Sequence, residues 1–178
     1  MEFDKLVETR RSIRSYQAGR TVTREQVEEI VACLQNAPSW KNSQTGRYYV
    51  ALSEEKVRAV RKCLPMFNAD RTANVSAYIV TAFEKNFAGF DKDGNPTDDL
   101  GNGWGAYDLG LQNALLLLKA RELGLDTLIM GLRDGDGLRK EFSIPASQEI
   151  VAVISLGYRN ENPEKPKRKP LNEILTIE

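Results

Sequence analysis

A single globular domain that mixes helices with strands is what this sequence predicts, and three observations predict it. Its 178 residues, 41% hydrophobic and 28% charged, can bury a core without disulfides or metal. Stretches with helical spacing are interspersed along the chain with short runs of strand-favouring residues. The longest apolar runs, 114–118 and 150–154, fall far short of the ~20 residues of a membrane span, and no internal repeat or domain boundary interrupts 1–178.

Residues 2–9 read as a short helix with Phe3, Leu6 and Val7 on one face. Thr23 and Gln26 form a capping box, and Val27, Ile30, Val31 and Leu34 recur at helical spacing, which predicts a helix over 24–36 that Pro38 stops. A polar loop, 38–46, leads into a strand at 47–52, and Ser53 caps a helix to about Leu64. Residues 77–83 read as a strand buried on both faces, because apolar residues occupy both alternation sets. A long Asp-, Gly- and Asn-rich excursion, 84–104, follows. The next helix, about 106–123, is apolar around its circumference through Leu115 to Leu118 and must be covered on every side, one cover being a second copy of the chain. A strand at 126–130, a helix at 134–142 and a strand at 150–156 complete the regular elements. The arm 158–178 alternates Pro with Lys and Arg, then turns apolar, as expected of a terminus that docks on a partner subunit.

Composition excludes several functions. No histidine is present, which removes Ser-His-Asp and Cys-His catalysis and His-ligated zinc. Cys33 and Cys63 are too few and too isolated for a metal site or a disulfide framework, so they are read as reduced packing residues. Twenty-five basic residues balance 25 acidic ones, and no aromatics interleave with Lys165–Lys169; nucleic acid and membrane partners are therefore not expected. The opening Met1-Glu2-Phe3-Asp4 lacks the basic and apolar regions of a secretory signal, so a cytoplasmic location is expected.

The strongest local anomaly lies between Glu8 and Glu25, where Arg10, Arg11, Arg14, Arg20 and Arg24 occur without an acid. The planar guanidinium suits phosphate, and alternation in an extended stretch aims Arg10, Ser12 and Arg14 at one face. A solvated surface is the alternative. The cations of the C-terminal arm could converge with them on one phosphate. Gly101-Asn102-Gly103-Trp104-Gly105-Ala106 matches a dinucleotide fingerprint only formally, since it follows a long loop rather than a tight strand-to-helix turn. Asp91-Lys92-Asp93-Gly94-Asn95 fails as a calcium loop, because Pro96 holds the required Gly position and Asn102 the closing Glu.

In their order, these pieces resemble the nitroreductase family of FMN-dependent α+β homodimers. The resemblance runs from Arg10-Arg11-Ser12-Ile13-Arg14 through Pro38-Ser39 and Asn42-Ser43-Gln44, Asn68 and Arg71, Leu123-Gly124, Gly131 and Ile144-Pro145 to the basic tail. It implies a nitroreductase-like fold: a central mixed, mainly antiparallel sheet flanked by helices, in an intertwined homodimer with FMN at the subunit interface. It also implies residue roles. Arg10 and Ser12, with Arg11 assisting, would hold phosphate and ribityl oxygens; Arg14 would reach the N1 and C2 carbonyl edge of the ring. Asn68 and Arg71 would contact the pyrimidine side, while Lys167 and Lys169, with Arg168 as a further candidate, would close over phosphate. Pro38, Ser39, Trp40, Asn42 and Gln44 would come from the other subunit. Met130 stands where some members have Glu, leaving a backbone N–H near Gly131 to face the ring's N5. Thr45-Gly46-Arg47 replaces the usual Pro-Trp exit of the Asn-Ser-Gln loop.

The implied activity is hydride transfer from NADH or NADPH through FMN to a nitroaromatic, a quinone or a similarly flat small-molecule acceptor, with ping-pong kinetics. Arg14 and Arg71 would tune the flavin, and no protein nucleophile is required. Trp40, Lys41, Phe87, Phe90, Trp104 and Tyr107 would form the substrate wall; the alternative is that the excursion's rings only anchor it to the core. The same fold hosts dehalogenation, enoate reduction and flavin breakdown. The rival from another class is a non-catalytic dimeric protein binding a phosphate-bearing metabolite or an RNA end.

Overall fold

Both faces of one antiparallel sheet carry apolar side chains, and the helices are arranged to cover them. The computed structural model describes residues 2–178. Four strands, β1 (Gly46–Ala51), β2 (Ala77–Glu84), β3 (Asp126–Met130) and β4 (Gln148–Gly157), pair in the order β1-β2-β4-β3, and all three pairings are antiparallel. In β2 the two alternation sets separate as expected: Tyr78, Val80 and Ala82 enter one core, Ala77 and Ile79 the other. The first core also holds Val57 and Val60 of α3 (Glu54–Lys62) and Leu138 of α6 (Gly135–Phe142). On the opposite face, α2 (Arg24–Leu34) and α5 (Gly103–Glu122) contribute Val27, Ile30, Leu34, Leu116 and Ala120. The result is an α+β architecture with helices on both sides of the sheet.

The capping box at Thr23 forms in both directions, with Gln26 N–H donating to Thr23 Oγ1 at 3.2 Å and Thr23 N–H to Gln26 Oε1 at 3.0 Å. At the head of α5, Gly105 lies so close to β2 that a Cβ there would sit 2.3 Å from the Phe83 ring. Only a glycine lets helix and strand approach to that distance. α5 begins at Gly103, earlier than its hydrophobic pattern begins, and a six-residue helix that periodicity does not reveal, α4 (Met66–Arg71), follows Pro65.

Both chain termini pass along the β3 edge. After α1 (Phe3–Thr9), the Arg-Arg-Ser-Ile-Arg segment is extended: Ile13 N–H donates to the Thr127 carbonyl at 3.0 Å, and Ile13 is fully buried. Past β4 the chain returns beside it, with Gln17 N–H on the Tyr158 carbonyl and Asn160 N–H on the Ser15 carbonyl, both at 2.9 Å. Arg159 locks this crossing through a two-pronged bond to buried Asp126, at 2.7 and 2.5 Å, and a further bond to the Thr9 carbonyl. No helix among the described residues is long and apolar enough to cross a membrane.

Candidate active site

Burying Ile13 turns its neighbours outward, which sets the geometry of the basic segment. Arg10, Arg11, Ser12 and Arg14 line one small cavity of about 120 Å³ with Pro163, Glu164, Pro166 and Arg168. The cations of both chain ends therefore meet, as the sequence allowed. A larger cavity of about 430 Å³ adjoins it, lined by Arg10, Arg11, Lys165 and Arg168 together with Val7 and the α5 residues Ala114, Leu117 and Leu118. Burial, then the guanidiniums of Arg11 and Arg168, lower the Arg10 pKa from its ordinary value. Arg11 Nε is buried and has no acceptor among the described residues. Glu164 is the one acid in the small cavity's lining; of the other acids nearby, Glu8 pairs with Lys165 at 2.6 Å, and Glu161 accepts the Arg14 backbone N–H.

Of the tail cations, Arg168 faces the cavity. Lys169 lies 3.7 Å from Glu173, and Lys167 lines neither cavity. Asn68 is buried on α4 and Arg71 is exposed beside the Phe67 ring, and neither lines these cavities. Met130 is buried at the end of β3, whereas Gly131 is exposed with open space around it.

A second constellation forms around the loop 38–46. Trp40 begins a 3-10 turn, Trp40–Asn42, and Lys41, Asn42 and Gln44 adopt left-handed backbone at φ 45°, 56° and 49°. Non-glycine residues held there store about 1–3 kcal/mol each, the kind of strain that clusters at ligand sites. Asp108, buried on α5, accepts the Trp40 N–H at 2.9 Å, and its burial raises its pKa above the usual carboxylate value. The Trp40 ring lies 4.6 Å from Trp104, which in turn lies 5.8 Å from Tyr107. Trp40, Lys41, Asn42 and Ser43 line a cavity of about 300 Å³ with Phe87 and Phe90. The aromatic residues of the excursion thus stand beside the loop, while Asp98 anchors Trp104 through its Nε1–H at 2.8 Å.

Asp108 is the member of this site that motif reading missed. A signal was present, because it is the one charged residue between Leu100 and Leu118. Arg159 and Asp126, which bring the arm back over the basic segment, carried no local signal, being separated by more than thirty positions.

The Nitroreductase family model matches residues 7–158. A candidate NADH dehydrogenase/NAD(P)H nitroreductase of Methanothermobacter thermautotrophicus is 29% identical over 169 residues, covering 92% of this chain and 80% of that protein. A similarly named protein of Archaeoglobus fulgidus is 26% identical over 163 residues, covering 86% and 83%. Among solved structures, a candidate nitroreductase of Exiguobacterium sibiricum in complex with FMN superposes with a TM-score of 0.88 at 24% identity, covering 100% of this chain and 98% of that one.

Proposed function

The chain belongs to the nitroreductase family, and from that premise we propose that it is a cytoplasmic FMN-dependent oxidoreductase. It takes hydride from NADH or NADPH and delivers it to a nitroaromatic, a quinone or a similarly flat acceptor. The observation that carries this reading is the meeting of Arg10, Arg11, Ser12 and Arg14 with Arg168 around one cavity. A phosphate tail fits there on two counts: a dianion offsets the burial and the neighbouring guanidiniums that lower the Arg10 pKa, and it gives buried Arg11 Nε an acceptor. Bound FMN supplies a ring that accepts and returns hydride. Arg10, Arg11 and Ser12 hold its phosphate end while Arg168 closes over it, and Arg14 presents a permanent cation to the electron-rich edge. Asn68 and Arg71 serve the pyrimidine side, and Lys167 and Lys169 keep the arm's field positive.

A second copy of the chain completes the site. On α5, Trp104 stands at one end of the helix and Leu117 borders the arginine cavity; at about 1.5 Å per residue they lie roughly 20 Å apart. One protomer's Trp40 loop therefore does not close over its own arginines, and a two-fold partner supplies the loop instead. Exposed apolar residues support this: Tyr107 on α5, Phe3 and Val7 on α1, and Leu171, Ile174 and Ile177 on the arm. The Trp40, Phe87, Phe90 and Trp104 rings, with Lys41 and Tyr107, form the wall against which flat donor and acceptor bind in turn.

Purified protein is expected to be yellow, to release FMN on denaturation, to bleach with NADH or NADPH under anaerobic conditions and to regain colour with a quinone. Initial-rate plots are expected to give parallel lines. A colourless protein that takes up no added FMN overturns the reading and favours a non-catalytic phosphate binder; intersecting lines overturn the shared cleft.

A further inference from the structure

The acid-free arginine run is only partly used by the site above, since Arg20 points to a different place. A cleft of about 550 Å³, larger than either cavity at Arg10, opens between the 18–22 segment, α3 and the 73–76 segment, and it shares no lining residue with those cavities. We propose that this cleft binds a small organic oxyanion with an apolar body, gripped by Arg20 and Arg61 and steered by Arg58.

Val22, Val57 and Val75 line the cleft and are 7%, 6% and 5% exposed, so its lining includes apolar groups that a bare inorganic ion would not use. Its cations are unevenly engaged. Arg58 pairs with Glu54, the one carboxylate in the lining. Arg61 makes no ion pair among the described residues, and its Nε is buried without an acceptor. Arg20 is held with its guanidinium carbon 3.4 Å from the centre of the Tyr158 ring, a contact that orients the group through its face and leaves its N–H donors unspent. Two guanidiniums without a carboxylate partner among the described residues, beside one neutralised carboxylate, leave net positive charge over an apolar lining. Carboxylate and phosphate oxygens are the acceptors that match a guanidinium fork, and the volume lies within the roughly 300–1,000 Å³ of small-molecule sites.

The test uses the full chain saturated with FMN, so that the Arg10 cavity is already filled. It is titrated with phenyl phosphate, benzoate and phenol while backbone amide shifts are followed. Both anions are expected to shift Val22, Val57 and Val75, and phenol to bind about ten-fold more weakly or worse. Whichever anion binds more tightly identifies the head group, and either order supports the site. Arg61→Met keeps the apolar stem and is expected to weaken both anions about ten-fold with FMN content unchanged; Arg20→Gln serves as the second variant should the first fail to fold. Absence of shifts at the three valines overturns the proposal, as do shifts confined to residues 10–14 and 163–168, phenol binding as tightly as the anions, or wild-type affinity in the folded variants.

Discussion

Four guanidiniums, those of Arg10, Arg11, Arg14 and Arg168, line one corner, and Ile13, sunk into the core between Ser12 and Arg14, turns these two neighbours outward toward it. Replacing Arg10 by Gln removes a charge-assisted phosphate contact of about 1.5–3 kcal/mol, so FMN affinity is expected to fall by roughly 10- to 150-fold in a fluorescence titration. Wild-type affinity in that variant would displace Arg10 from the phosphate. Asp108 offers a pH test. Burial raises its folded pKa, so the carboxylate opposes folding above the folded value, and this cost disappears below the ordinary aspartate range, where both states are protonated. Asp108→Asn keeps an acceptor for the Trp40 N–H. It is expected to melt higher than wild type at pH 7, with the gap closing by about pH 3; a gap that widens in acid contradicts the burial argument. Legibility at this scale was uneven. The arginines stood out because they lack neighbouring acids, whereas nothing local told Arg168 from Lys167 and Lys169, since the direction each faces depends on the Arg159 crossing.

Elements were legible where periodicity or capping chemistry is strong. α2 and β3 occupy the segments their patterns predict, α2 ending two residues early and β3 at 126–130. Thr23→Ala, which breaks both capping bonds of α2, is expected to cost about 1 kcal/mol and lower the melting temperature by about 2–4 °C in a calorimetric scan. α4 escaped detection because six residues do not complete a hydrophobic repeat. The head of α5 lies at Gly103, ahead of its hydrophobic pattern, because Gly103-Trp104-Gly105 is a poor helix signal that the close contact of Gly105 with Phe83 overrides. The Asp126–Arg159 bond joins β3 to the returning arm, with the Asp126 side chain 1% exposed. Asp126→Ala strands Arg159 and is expected to destabilise the chain by about 3 kcal/mol in urea unfolding while also weakening FMN binding. Loss of stability alone, with FMN affinity intact, would separate the crossing from the site.

Across the whole molecule the two constellations lie on opposite stretches of α5, the helix expected to take one of its covers from a second copy. Tyr107, Gly110 and Ala114 form a strip of α5 that the chain itself leaves exposed, and a Cβ at Gly110 would meet nothing within 4 Å. Within a lone protomer Gly110→Glu is therefore harmless or helix-strengthening. Packed against a second copy it buries an unpaired charge, so sedimentation is expected to show monomers and the preparation to lose its yellow colour. A dimer that keeps FMN in that variant would move the interface elsewhere.

The mixture of helices and strands, the two-sided burial of β2 and the lack of imidazole chemistry can all be read from the order of residues alone. These depend on periodicity and composition, which are local or global sums. It takes the folded chain to bring Arg10 to Arg168, to set Asp108 under Trp40, and to gather Arg20 and Arg61 at a separate cleft. Those pairings join residues from 41 to 158 positions apart, and the directions in which buried neighbours such as Ile13 force them to point follow from packing rather than from any local pattern.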